Sequence, residues 1–288
     1  MGRPSTYNQS NSPSPNTGQG TTLHLMDIKK RLDEIWGADY LNALSPEAKT
    51  VLERGYVFYN NEERKDLLIT GINPSFREEE SKGRLGFNTT KLLEREAKHD
   101  VYWSPIRKML YNQDIDLIAQ TAYLDIFYFR EKEQTFLKRE LLSQPEGIRF
   151  IVDQLNLTMH TIEEVIQPKL IIVKNKESAA YFGKEAEKRK WIWMGYALEQ
   201  VCNTYCGELY KITGLIDSHE RIAPEITQTA LVGTLVLFTR HINRYTKREL
   251  RPTAEFLNRL LHIQSQGIDS YPIEDLCLNH TSGMNLCK

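Results

Sequence analysis

Apolar residues recur at threes and fours after Leu23, where Leu25, Ile28, Leu32, Ile35 and Trp36 fall on one face, and this spacing predicts an amphipathic helix. A second short helix is expected after Ser45-Pro46, because proline suits a first helical turn. The segment before them, residues 1–22, is rich in Ser, Asn, Pro, Gly and Gln and reads as a disordered tail, since it has too little apolar surface to offset chain entropy. Beyond Glu53 the pattern changes to short apolar runs alternating with helical spacing. Strands are expected at 66–71, 121–129, 169–173, 208–213 and 234–239, and helices at 89–97, 103–111, 134–142, 146–166, 176–182 and 252–265. Leu67, Leu68 and Ile69 leave no polar face, as in a strand covered on both sides.

Strands separated by long crossovers predict an α/β fold, here a three-layer αβα sandwich on a central, mainly parallel sheet of four to five strands with right-handed connections. One domain over 23–270 is expected, followed by an extension over 271–288. The length of 288 residues leaves ample room for a core.

Composition adds little, which is itself informative. A formal net charge of −1 gives no global electrostatic case for nucleic acid, so any basic surface has to be local. Cys202, Cys206, Cys277 and Cys287 are too few and too scattered for a disulfide framework, and a zinc or iron–sulfur site at Cys202 and Cys206 would need two further ligands. Free thiols in a reducing cytoplasm are expected, with no metal and no cofactor. No stretch approaches the roughly 20 apolar residues of a membrane span.

In open parallel sheets the binding crevice lies at the carboxyl ends of the strands. Asn73, Asp125 to Tyr128, Asn175 and His241 stand there; together they would make one polar pocket, although each alone has an ordinary explanation. The run "LLITGINPSF" stops at an Asn-Pro corner, where Pro74 keeps Asn73 out of helical geometry and Gly71 permits close backbone approach or an unusual φ. Such a corner either aims a polar side chain out of the sheet or simply leaves the strand. In "GRLGF", Phe87 either lies flat against a planar ligand or plugs the core. After the last strand, Arg240, Arg244, Lys247, Arg248 and Arg251 crowd around His241, Asn243 and Tyr245. This is a solvated basic loop or a phosphate-contacting one, with Tyr245 free to stack on a base or wedge into a step.

The order of "GINP", Phe87 fourteen residues after Asn73, "VYWSPIRKML", a polar residue in a second strand, and a late strand ending at His241 resembles the uracil-DNA glycosylase superfamily. "GINP" and "YWSPIRKML" are similar to the first active-site motif and aromatic helix of its mismatch-specific branch. "PKLIIVKNKESAAYFG" resembles the third strand and helix of the bacterial thermostable branch, and "LVLFTRHINRY" stands in the place of the strand and His-Pro-Ser motif.

The resemblance implies a monofunctional DNA glycosylase of base excision repair, a monomer acting on a flipped damaged or deaminated base of DNA and leaving an abasic site. In that reading Asn73 positions the water, and His241 donates to the base as negative charge develops. Ile72, Phe87 and Asp125 hold the base, while Arg240, Asn243, Arg244, Tyr245, Lys247 and Arg248 hold the DNA. A neutral Asn73 implies slow turnover. Departures from the family pattern also count. Asp125 replaces an asparagine; when ionised it accepts N3–H of uracil but repels O4, and it suits an amino-bearing edge. His-Ile-Asn replaces His-Pro-Ser, leaving Asn243 to act for the serine, and Ser75 replaces a glycine. Two other readings remain: a non-catalytic nucleic-acid-binding or lesion-sensing protein of the same fold, and an α/β protein acting on a free nucleoside or other small molecule, with the basic loop only surface.

Overall fold

The computed structural model describes residues 20–61, 63–76, 82–267 and 276–277. Residues 1–19 of the tail expected over 1–22, most of the C-terminal extension and Cys287 lie outside the described residues. Helix α1 (Gly20–Trp36) begins inside the stretch read as tail. Helical hydrogen bonds join backbone groups whatever the side chains, so a run of polar residues does not mark where the helix starts. A 3-10 turn (Asp39–Ala43) leads to α2 (Pro46–Arg54). The Ser45 hydroxyl caps α2 by accepting from the Ala48 amide at 3.2 Å, and Gly55 ends it at φ 78, a left-handed position suited to glycine.

β1 (Val57–Asn60) pairs in parallel with β3 (Leu85–Asn88) in a small two-stranded sheet, and β2 (Leu67–Gly71) between them in sequence opens the main sheet. The chain continues through α3 (Thr89–Leu93), α4 (Trp103–Arg107) and β4 (Thr121–Asp125). Then α5 (Gln134–Phe136) runs into a π-helical turn, and α6 (Pro145–His160) ends in another before β5 (Leu170–Val173). It closes with α7 (Ser178–Phe182), α8 (Ala186–Arg189), the hairpin β6 (Tyr196–Thr204) and β7 (Gly207–Leu215), β8 (Leu235–Thr239) and α9 (Ala254–Gln266).

The main sheet has the order β4-β2-β5-β8-β7-β6. The first four strands run parallel and the last two antiparallel. Six strands exceed the four to five expected from the sequence; the extra one, β6, is an edge strand whose Glu199 and Gln200 are exposed. β3 also stands where a loop was expected. Most of its residues face solvent, so no buried face imposed the alternation that marks a strand. By contrast β2, β4, β5 and β8 are buried along their whole length.

Alternate strand residues feed two apolar clusters. Leu68, Leu124, Ile171 and Val236 pack with Leu32, Val51 and Phe150. Leu67, Ile69, Tyr123 and Leu237 pack with Ile106, Leu257 and Leu260. From β2 the chain crosses to β4 on one side and later to β5 on the other, so the strand order reverses at β2 and a crevice opens beyond its carboxyl end. Among the described residues no helix is long and apolar enough to cross a membrane.

Candidate functional site

Register places Gly71, the last residue of β2, opposite Asp125, the last of β4. A Cβ at position 71 would lie 1.8 Å from Asp125 Oδ1 and 2.7 Å from the Tyr123 hydroxyl. Glycine is therefore required there for close approach, with no unusual φ involved.

The Asp125 carboxylate is 3 % exposed. Its Oδ1 accepts from the Tyr123 hydroxyl at 2.9 Å and its Oδ2 from the Tyr59 hydroxyl at 3.2 Å. Tyr123 shares a short hydrogen bond with Tyr102, whose oxygen accepts from Lys174 Nζ at 2.7 Å. The ammonium has only protons to give and the ionised carboxylate only lone pairs, so the donors all point from Lys174 through Tyr102 and Tyr123 to Asp125. Burial raises the pKa of Asp125, against the lowering effects of the Lys174 charge and the two tyrosine hydrogen bonds. Burial draws Lys174 down to about 8, opposed by Asp125. The same burial pushes Tyr59, Tyr102 and Tyr123 well up, keeping them as donors.

Above this network lies a cavity of about 470 Å³ that has Asp125 in its lining. Phe87 from β3, Tyr59 from β1, and Tyr102 and Trp103 at the start of α4 give it aromatic walls, and Asp100 and Arg130 add charge. Phe87 is 39 % exposed, and its ring centroid lies 6.3 Å from that of Tyr59 at a tilt of 33°. It thus lies against open space and does not plug the core. Asp100 caps the turn that presents Tyr102 and Trp103, accepting from their amides at 2.7 and 2.9 Å. Arg130 stacks on Phe76 with 4.9 Å to the ring centroid.

Of the residues expected to hold or attack a base, Phe87 and Asp125 meet in this cavity, and three others do not line it. Ile72 is buried in the apolar cluster with Leu124 and Phe127, because the chain leaving β2 turns its side chain inward. Asn73 latches the Asn-Pro corner to the segment after β4. Its Nδ2 donates to the carbonyls of Pro74 at 3.0 Å and Glu131 at 2.6 Å, and its Oδ1 accepts from Gln134 Nε2 at 3.2 Å. Pro74 and Ser75 beside it do line the cavity. His241 is exposed just past β8 and does not line this cavity; partial burial, followed by the nearby Lys174 charge, lowers its pKa. Asn175 holds its own turn, accepting from the Glu177 amide at 2.8 Å.

The loop after β8 divides in the same way. Arg244, Lys247 and Arg248 are exposed, and Tyr245 is 75 % exposed with the Arg244 guanidinium 4.6 Å from its ring centroid. Asn243 is occupied within the loop, its Oδ1 accepting from the amides of Tyr245 at 2.8 Å and Thr246 at 3.1 Å. Arg251 fastens the loop through the carbonyls of Asn243 at 2.8 Å and Thr246 at 2.9 Å. Arg240 lines a separate cavity of about 480 Å³ with Lys176 and Lys184. Arg244 and Tyr245 border an opening shared with Val101 and Tyr102, so Tyr102 belongs both to this opening and to the aromatic cavity.

Sequence reasoning passed over Tyr59, Tyr123 and Lys174. Tyr123 precedes Asp125 by two positions on one strand and so shares its face, a spacing that was legible. Tyr59 had no such signal, since β1 itself was not anticipated. No protein-family model matches the sequence, and no curated protein matches it.

Proposed function

We propose that the protein is a DNA base glycosylase of the uracil-DNA glycosylase type, with a three-layer αβα domain, hydrolysing the N-glycosidic bond of a flipped, damaged or deaminated base. The observation that carries this reading is that Phe87 and Asp125, distant in sequence, line one cavity of about 470 Å³, large enough to admit a base, at the carboxyl ends of the strands where the sheet order reverses. An extruded base enters between the rings of Phe87, Tyr59 and Trp103, and its edge donates to Asp125. Arg244, Lys247 and Arg248 hold phosphates at the neighbouring opening, where Tyr245 fills the vacated stack. Asn73 Oδ1 keeps a lone pair beyond the one used by Gln134, which positions a water for attack on C1′.

A second reading, a lesion-binding protein without catalysis, is favoured by the engagement of the Asn73 amide and by the absence of His241 from the cavity lining. One experiment separates the two. Oligonucleotides carrying uracil, hypoxanthine, xanthine or an oxidised pyrimidine are incubated with the protein, and abasic sites are cleaved and counted. Product that falls at least tenfold in Asn73→Ala with DNA binding retained supports the glycosylase. Tight binding to a modified base with no product from any of these supports the sensor.

A further inference from the structure

We propose that the aromatic cavity selects a nucleobase carrying a fixed positive charge, of the N-alkylated purine or pyrimidine class, over neutral bases such as uracil. The inference rests on the glycosylase reading and names the substrate class of that same site. Its first support is the floor. Asp125 is almost fully buried, and both of its oxygens accept from tyrosine hydroxyls that cannot serve as acceptors for it, so it offers a base only lone pairs and negative charge.

Its second support is the wall. Tyr59, Phe87, Tyr102 and Trp103 surround the space, and the negative faces of aromatic rings attract cations. Among the described residues the charged groups lining the cavity are Asp100, Asp125 and Arg130, and Lys174 stands behind Tyr102, linked to Asp125 through the hydroxyl chain. The third support is the position of His241, the group expected to meet a departing anion: it is exposed and does not line the cavity.

An anionic leaving group would develop charge against a buried carboxylate. A cationic base avoids this. Water oxygen bonds to C1′, the C1′–N bond breaks, and its electron pair passes to the ring nitrogen and cancels the positive charge. The base departs neutral without being protonated, and the proton lost by the water passes to bulk solvent. No donor to the base is needed, in keeping with the position of His241.

The test compares duplexes of one sequence carrying a single 7-methylguanine, guanine or uracil at the same position, reading both equilibrium affinity and abasic product for the full chain. The expected result is at least tenfold tighter binding of 7-methylguanine than of either neutral base, a preference reduced at least tenfold in Asp125→Asn. Phe87→Leu, at a half-exposed position with no part in the buried network, should also reduce the preference, and it serves if Asp125→Asn does not fold. Equal or tighter binding of uracil, or a preference untouched by both variants, overturns the inference. Release of uracil alone overturns it while leaving the glycosylase reading in place. Charge-selective binding without product from any base does the reverse.

Discussion

The aromatic cavity and the basic loop lie side by side, joined at Tyr102, and they are built by opposite means. In the cavity the chemistry is fixed in advance: Lys174, Tyr102, Tyr123, Asp125 and Tyr59 are buried or nearly so and held by one another. In the loop the shape is fixed by Asn243 and Arg251 bonding to nearby backbone, while the cations at 244, 247 and 248 face solvent. A rigid, desolvated site discriminates between ligands. Exposed cations contribute sequence-independent attraction that salt weakens. In the proposed reading selection and grip therefore reside in different elements, and variants should separate them.

The largest effect is expected at Gly71→Ala, where the new methyl would overlap Asp125 Oδ1. Overpacking of this kind costs about 1–3 kcal/mol, read from urea unfolding, and should abolish discrimination between bases. Tyr102→Phe removes the acceptor of Lys174 and one partner of Tyr123; leaving such buried groups unsatisfied costs about 1–3 kcal/mol, with the basic loop's salt dependence unchanged.

The pH dependence of the cavity has a definite sign. Lys174 titrates near 8 in the folded protein against an ordinary 10.5, so the unfolded chain binds more protons between those values, and this residue's contribution to stability rises with pH across that window. The difference in unfolding free energy between wild type and Lys174→Met, followed from pH 7 to pH 9.5, should move in favour of the wild type as pH increases. A flat difference would remove Lys174 from the buried network. Acid acts on His241 instead. Its lowered folded pKa means that its contribution, complete above 6.5, is lost as pH falls through the lower folded value.

The loop variants should be the mildest for stability. Lys247→Ala and Arg248→Ala should each change it by less than about 0.5 kcal/mol, because both side chains face solvent. Each should flatten the slope of log affinity against log salt by about 0.9, the share of one phosphate that is no longer neutralised.

How much was legible in the sequence follows the same division. β2, β4, β5 and β8 announced themselves because burial on both faces leaves continuous apolar runs, whereas β1, β3 and β6 are short, exposed or at an edge and left no such trace. The basic loop was visible as composition. Asp125 and Phe87 were found because strand ends and glycine-flanked aromatics are recognisable positions. Asn73 and His241 were located along the chain, but motif order carries no information about side-chain direction. The Glu131 carbonyl turns one, and the other is exposed outside the cavity lining. Lys174 was hidden as a lysine just past an apolar strand, whereas Tyr123, two positions before Asp125 on one strand, stood at a legible spacing and was passed over.

The most direct measurement is DNA affinity against salt concentration, for duplexes with and without a modified base, in Phe87→Leu and in the double variant Arg244→Ala/Lys247→Ala. Phe87→Leu should reduce the ratio between modified and unmodified duplex and leave the salt slope as it was, and the double variant should flatten the slope and leave the ratio. If both variants move the same quantity, or if affinity does not respond to salt at all, the cavity and the loop are not the selecting and gripping halves of one site.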